Sequence, residues 1–341
     1  MLKINRTITQ YALLFILLLL VPFCIVRNNT KFREPKKDLR KVYLRLSWET
    51  QSQFAGYYVA KHNKYYEEEG IDLIIRTSLN NVNISATVAN GVDHFGEISL
   101  ENLITDLNRF YPVKNIAQIY QDIDIVLLAR KEDGIFNLED FKGKVYATWW
   151  GNNDIMIRTL FKKQHIPLEV IFYQKPWSLD AFINKQVQII PAFYANEFHT
   201  ILMNGYKQED LSIFSYKDYG MDFPGGCLIA SDKLIERDPE LVFKFLKASI
   251  KGWNYAFGNK EEAVSIMQKY AKLNKEHEMF MLDVIEKNID KNFDGSPIGF
   301  HDVTKIQKTI DFLKESGQIT RNITPEDIVY DKFIKKIGAK H

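Results

Sequence analysis

At 341 residues, with 46% apolar and 26% charged side chains, the chain is sized for two packed lobes or one large α/β unit, and its proportions argue against disorder, a collagen-like repeat or a many-spanning membrane protein. Two cysteines, Cys24 and Cys227, are too few for a disulfide framework or a four-thiolate zinc site. The net charge of +2 is unevenly spread: residues 1–41 hold nine Lys/Arg against Glu34 and Asp38, which leaves 36 basic and 41 acidic groups in residues 42–341 and no electrostatic basis there for binding nucleic acid.

Residues 11–26 (YALLFILLLLVPFCIV) carry no charge and follow Lys3 and Arg6. This is the layout of a secretory n-region and h-region, slightly short of the about 20 residues of a full span. No small-x-small cleavage site follows, and Pro22 and Phe23 are bulky where a lipidation box at Cys24 wants small residues. An uncleaved membrane anchor is the first expectation, a lipoprotein anchor the second, and a buried core helix the bland alternative. The basic cluster at 27–41 counts against export, since such charges ordinarily stay on the cytoplasmic side. The expectation is nonetheless a body outside the cytoplasm, with residues 27–40 as a polar tether against anionic headgroups.

The body alternates short apolar runs with amphipathic ones. Val42, Leu44, Leu46 and Trp48 interleave with Tyr43, Arg45 and Ser47, a period of two that predicts a strand. A helix is expected over 54–69, stopped by Gly70, and a second strand over 71–75. Further strands are predicted at 94–98, 115–120, 123–130, 144–148, 170–173, 187–191 and 227–231, with helices between most of them, which argues for mostly parallel α/β sheets. After Ser231 the rhythm changes. Residues 239–257, 261–272, 275–292 and 303–316 read as helices with no strand between them, Pro239 in a first turn and Gly317 past the last. An α/β unit closed by a helical tail suggests one lobe completed by chain returning from another. The expected division is an anchor and tether at 1–40, lobe I from 41–130 plus 227–341, and lobe II from 131–226, with crossovers near 131–134 and in the glycine-bearing stretch 220–226.

Catalytic signatures are missing. The seven histidines lie nowhere near metal-ligand spacing, there is no P-loop, G-x-G-x-x-G or G-x-S-x-G, and Cys227 is a lone thiol in an apolar run. Paired hydrolytic carboxylates are invisible to sequence and stay open; with no positive sign of an enzyme, the expectation is a non-enzyme with no cofactor, no metal and no catalytic residue.

Four segments stand out in order: WETQSQFAGYYVAK at 48–61, AFYANEF at 192–198, DYGMDF at 218–223 and ASIKGWNYA at 248–256. Together they resemble the thiamine-pyrimidine-precursor binding proteins of bacterial ABC importers, a family related to yeast thiamine pyrimidine synthase and to aliphatic-sulfonate binding proteins. The QFAGYY variant is also similar to the binding domains of some bacterial sensor kinases. The resemblance implies an α/β, type 2 periplasmic binding fold: two lobes, a ligand cleft and two hinge crossovers. A flat pyrimidine needs an aromatic face for stacking and a carboxylate or amide at its amine edge.

Glu197 follows an apolar strand, and a carboxylate at a strand's C-terminal edge reaches a cleft in α/β folds. Its bland alternative is a favourable charge near a helix N-terminus, worth about 0.3–1 kcal/mol. Tyr194 is the expected stacking neighbour or a packing residue. Trp48 ends the first strand and is read equally as core or cleft. One of Tyr57 and Tyr58 is expected to face the ligand while the other packs. Trp149 and Trp150, with Asn152, hold the matching position in the second lobe. Asp222 is a ligand acceptor or a turn residue, and Gln121 a weaker candidate of the same kind. Trp253 and Tyr255 are expected to pack.

The synthase branch, the resemblance implies, holds pyridoxal phosphate on a lysine and uses a histidine and a cysteine-rich loop. Here Gly91 and Asn102 fall at the first two positions, His94 is shifted, and the loop is reduced to Cys227. The function expected is therefore an extracytoplasmic, membrane-tethered binding protein for a pyrimidine-like thiamine precursor, delivering to an ABC permease. The alternatives are a sensory input domain acting through a separate partner and, disfavoured, the synthase.

Overall fold

The computed structural model describes residues 38–78, 82–148, 152–173, 178–289 and 297–338, so the apolar run at 11–26 lies outside the described residues. Among the described residues no helix is long and apolar enough to cross a membrane.

The alternation at the start of the body forms β1 (Arg40–Arg45), which buries Val42 and Leu44. The helix expected over 54–69 is in fact two, α1 (Ala55–His62) and α2 (Tyr65–Glu68), because Lys64 takes a left-handed backbone (φ 62°) and breaks the hydrogen-bond ladder. Next come β2 (Ile71–Arg76), α3 (Ile84–Ala89), β3 (Phe95–Ser99), α4 (Leu100–Asn108) and β4 (Val113–Gln118). Asn83 and Ser99 cap α3 and α4 with side-chain oxygens. The chain then builds β5 (Ile125–Arg130), β6 (Val145–Ala147), α5 (Asn152–Lys163), β7 (Ile171–Tyr173), α6 (Leu179–Ile183), β8 (Ile189–Phe193), α7 (His199–Met203) and β9 (Leu211–Ser215). It returns through β10 (Gly226–Ser231) to a tail of helices: α8 (Asp232–Arg237), α9 (Pro239–Gly258), α10 (Lys260–Met267), α11 (Lys275–Ile289), α12 (Val303–Glu315), α13 (Pro325–Ile328) and α14 (Lys332–Gly338).

The first sheet has the order β2-β1-β3-β10-β4 and the second β7-β6-β8-β5-β9. Strand β10 runs antiparallel to β3 and β4, and β5 antiparallel to β8 and β9. This is the two-lobed fold of periplasmic binding proteins. Two expectations are corrected. Strand β5 belongs to the second sheet, so the first crossover is 119–124 and not 131–134. Strand β9 has no counterpart among the expected strands; it sits at a sheet edge, and the second crossover runs from 216 to 225.

Lobe I is buttressed by the tail. Helix α9 lies directly on α1 because Gly56 and Gly252 face each other: a Cβ at Gly252 would overlap the Gly56 carbonyl, and one at Gly56 the Trp253 ring. Trp253 is fully buried, as expected for a packing residue. Helix α11 serves both lobes. Met281, Leu282, Ile285 and Ile289 join the lobe I core, while Phe280 packs on the core of lobe II.

Candidate functional site

Strand direction decides which ends meet. In the first sheet the C-termini of β1, β3 and β4 and the N-terminus of β10 share one edge; in the second, the C-termini of β6, β8 and β9 and the N-terminus of β5 do. The crossovers leave and enter through these edges, so the edges face each other. The crossovers are also bonded together: Tyr120 N–H donates to the Gly226 carbonyl (2.9 Å), Gly225 N–H to Tyr120 (3.0 Å) and Ile123 N–H to Phe223 (2.8 Å).

Of the predicted residues, Trp48, Tyr194 and Glu197 come to these edges, though not all with a free side chain. Trp48 lies just past β1 and is 52% exposed. Tyr194 and Glu197 form a wide turn, Tyr194–Phe198, directly after β8. Tyr194 stacks on Phe198 at 4.4 Å and leans on Phe280. Glu197 turns inward onto its own loop: Oε2 accepts from the Phe193 N–H (2.8 Å) and Oε1 from the Asn196 amide (3.0 Å). Burial pushes its carboxyl up to about 7, against those hydrogen bonds. Trp149 and Trp150 lie outside the described residues, as does the side chain of Asn152, whose backbone opens α5.

Four placements give a structural job instead. Tyr57 and Tyr58 are both core, so neither presents a ring at the edge. Tyr57 is 1% exposed and set edge-on to Trp253 (5.6 Å), while Tyr58 shares a hydrogen bond with Thr50 (2.8 Å) and packs on Tyr270. Gln121 is a brace at the first crossover, its amide donating to the carbonyls of Gln118 (2.7 Å) and Phe300 (3.0 Å). Asp222 pairs with Lys305 of α12 (3.0 Å), and the same ammonium reaches Asp122 (2.6 Å) and the Gln121 carbonyl. One tail lysine thereby ties both crossovers, and Lys217 adds a second contact to Asp122 (3.0 Å).

Sequence reasoning missed several residues at the same edges. Phe193, the last residue of β8, is 42% exposed. Asp124 opens the second lobe, accepts from the Ala195 N–H (2.8 Å), and is held up to about 6 by burial. Glu97, in β3, is 3% exposed, takes a hydrogen bond from the Ser47 hydroxyl, and is pushed up to about 7 by burial. Its available signal was a glutamate inside an apolar five-residue strand. His199 of α7 and His277 of α11 meet through their Nδ1 atoms (2.9 Å), a contact between sequence positions that no spacing argument joins. Among the described residues no group of three or more His, Cys, Asp or Glu side chains is placed to hold a metal ion. Cys227 is buried, and burial, with Glu97 and Glu101 adding to it, raises its thiol well above the ordinary range. Gly91, where the sequence reading expects the synthase lysine to fall, has a left-handed backbone (φ 73°).

Stacking faces around buried acids at facing sheet edges can hold a flat, amine-edged ring. Known proteins resemble the chain in sequence and in fold. A formylaminopyrimidine-binding protein from Halalkalibacterium halodurans is 20% identical over 325 residues, covering 91% of this chain and 96% of that protein. Riboflavin-binding protein RibY from Chloroflexus aurantiacus is 23% identical over 238 residues, covering 68% and 67% respectively. The periplasmic aliphatic sulphonate binding protein from Escherichia coli superposes with a TM-score of 0.65 at 10% identity, over 87% of this chain and 93% of that one. The family described as NMT1/THI5 like matches residues 51–263. With more than half of its length matched, the chain belongs to the NMT1/THI5-like family.

Proposed function

We propose that this chain is an extracytoplasmic solute-binding protein for an aminopyrimidine-like thiamine precursor, which it presents to an ABC permease. The reading is supported by exposed aromatic rings, Trp48 and Phe193, and buried carboxylates, Glu97 and Glu197, near the ends of the two sheets at which the crossovers run. A stacked ring supplies affinity regardless of substituents, whereas buried acceptors reward N–H donors and oppose anions. The acids therefore favour a pyrimidine over the sulfonates bound by structural relatives. The formylaminopyrimidine-binding relative, aligned over nearly the full length of both chains, supports the same class. Binding follows by closure of the lobes about the crossovers, a population shift driven by contacts that only the closed form completes. A binding role without catalysis agrees with Gly91 standing where the synthase branch needs a lysine. The uncharged run at 11–26, with its basic flank, supplies the membrane tether in this reading.

Thermal unfolding of the full chain with aminopyrimidines, riboflavin and alkanesulfonates tests the ligand class. A ligand at a hundred times its dissociation constant should add about 2.7 kcal/mol of stability. Stabilisation by an aminopyrimidine is the expected result; stabilisation by sulfonates alone would reject the ligand while leaving the fold intact.

A further inference from the structure

We propose that Glu97 is the specificity-determining acid of the cleft: its carboxylate takes N–H donors from the edge of a heteroaromatic ligand and turns away anionic ones. The inference rests on the binding function above and assigns its selectivity to a residue of lobe I.

The position follows from register. Residue 97 lies on β3, the central strand of the first sheet, flanked by β1 on one side and β10 on the other, opposite Leu228 and two residues inside the cleft-facing end of β3. Its side chain rises between Ser47, which follows β1, and Gly226, which opens β10. Glycine at 226 is what leaves room for it, since a Cβ there would overlap Glu97 Oε1. Trp48, the exposed ring of this edge, is the next residue after Ser47.

The surroundings leave the acid short of partners. Among the described residues Ser47 alone donates to it, through its hydroxyl and its backbone N–H, and no described lysine or arginine pairs with it. A carboxylate has about four acceptor positions. The Tyr57 hydroxyl, raised by burial and then by the charges of Glu97 and Tyr120 and drawn back by the Trp253 indole N–H, is buried and makes no hydrogen bond to Glu97. The Tyr120 hydroxyl already donates to the Gln53 carbonyl. The remaining ionisable neighbour, Cys227, is a buried thiol. A desolvated carboxylate with no cation is costly unless something donates to it. Without such a donor a proton meets that need, which is why burial drives its titration toward neutrality. An exocyclic amine or ring N–H meets it in the closed complex. A sulfonate brings only acceptors and negative charge, and so adds to the cost.

Calorimetric titration of the full chain at pH 7 with three probes, 4-amino-2-methylpyrimidine, riboflavin and an alkanesulfonate, tests this in the wild type, in Glu97→Gln and in Gly226→Ala, whose added Cβ displaces the carboxylate while leaving it in the chain. Circular dichroism verifies folding. The wild type should prefer an N–H-bearing probe over the sulfonate, and each variant should reduce that preference at least tenfold and flatten its dependence on pH between 6 and 8. Folded variants that keep both the preference and the pH profile overturn the role of Glu97 and leave the pyrimidine function standing. A wild type selecting riboflavin alone, with the preference lost in the variants, upholds Glu97 and overturns the pyrimidine assignment. A wild type that selects the sulfonate, or binds none of the three, overturns both.

Discussion

Glu97 in lobe I and Glu197 in lobe II are both buried near the cleft edges, and burial pushes both carboxyls up to about 7, yet the two are solvated by different means. In lobe II, Glu197 is answered by a backbone N–H and a neighbouring amide, donors fixed by the turn that Glu197 itself helps to close. In lobe I, Glu97 is answered by Ser47, and the buried Tyr57 phenol near it makes no hydrogen bond to it. An equal shift in titration therefore does not mean an equal role. The first acid is a strut of its own loop, and the second keeps acceptor capacity for something that arrives from outside. The lobes differ in the same sense as wholes. Lobe I rests on a helical tail and a close helix pair through Gly56 and Gly252, whereas lobe II is pinned by a buried charge.

That buried charge gives the largest expected effect. The Arg130 guanidinium, at the end of β5, donates to the carbonyls of Phe182 (2.7 Å) and Val187 (2.9 Å), pairs with Asp133 (2.7 Å) and lies over the Phe182 ring. Arg130→Met leaves those acceptors unanswered and should cost about 3–5 kcal/mol in urea unfolding. The counterpart in lobe I, Gly252→Ala, should cost about 1–3 kcal/mol by overpacking α9 against α1. A smaller loss from Arg130→Met than from Gly252→Ala would reverse the contrast.

The two acids themselves come next. A carboxyl whose folded value lies above its unfolded one binds more protons in the native state between the two, so stability falls as pH rises through that window. For each glutamate the window runs from the ordinary value of 4.5 to about 7, and the loss is on the order of 3 kcal/mol at most. Glu97→Gln and Glu197→Gln should each flatten the stability profile between pH 5 and 8. A saturating aminopyrimidine should remove the Glu97 part of the wild-type slope and leave the Glu197 part. Equal ligand effects on both would mean that both acids touch the ligand.

Exposed rings separate the jaws at lower energy. Trp48→Ala and Phe193→Ala remove side chains 52% and 42% exposed, so folding stability should move little. Aminopyrimidine affinity should fall by about 1–3 kcal/mol for each ring that stacks on the ligand. A loss confined to Trp48 would place the ligand on lobe I alone.

The strand alternation at Val42 and Leu44, the apolar run that forms β8 and the strandless tail were legible because one-dimensional periodicity determines which face of an element is buried. The placement of Trp48 and Tyr194 at strand ends was legible too, because a βα turn exposes the residues just past a strand. Strand β9 was not, since LSIFS is short and adjoins a polar turn. Nor was the burial of Tyr57 and Tyr58, which is decided by Trp253 and Tyr270, far along the chain. Lys305 illustrates the same limit: as a sequence position it is one charge among many, and only the fold carries it to Asp122 and Asp222.

The smallest expected effect concerns the seam between the lobes. Asn196 donates its amide to Glu197 Oε1, which turns its oxygen toward His277 Nε2 (3.0 Å). His277 is therefore the Nε2–H tautomer, its Nδ1 accepts, and His199 must donate from Nδ1 across 2.9 Å. This chain of bonds runs from Glu197 in lobe II to α11 on the tail. A second proton on the pair would set two N–H groups against each other. Burial lowers both histidines; the charge of His199 depresses His277 further, while Glu276 pulls His199 back up. A lowered folded value means the native contact binds fewer protons than the open form, so its contribution is complete above the ordinary histidine range near 6.5 and is lost as pH falls below it. Small-angle scattering of the unliganded chain should show slight expansion between about pH 7.5 and pH 5. His277→Ala, which removes the bond at every pH, should make the dimensions independent of pH over that interval. An expansion that persists in His277→Ala would move the acid response to the carboxylates at the crossovers, away from the seam.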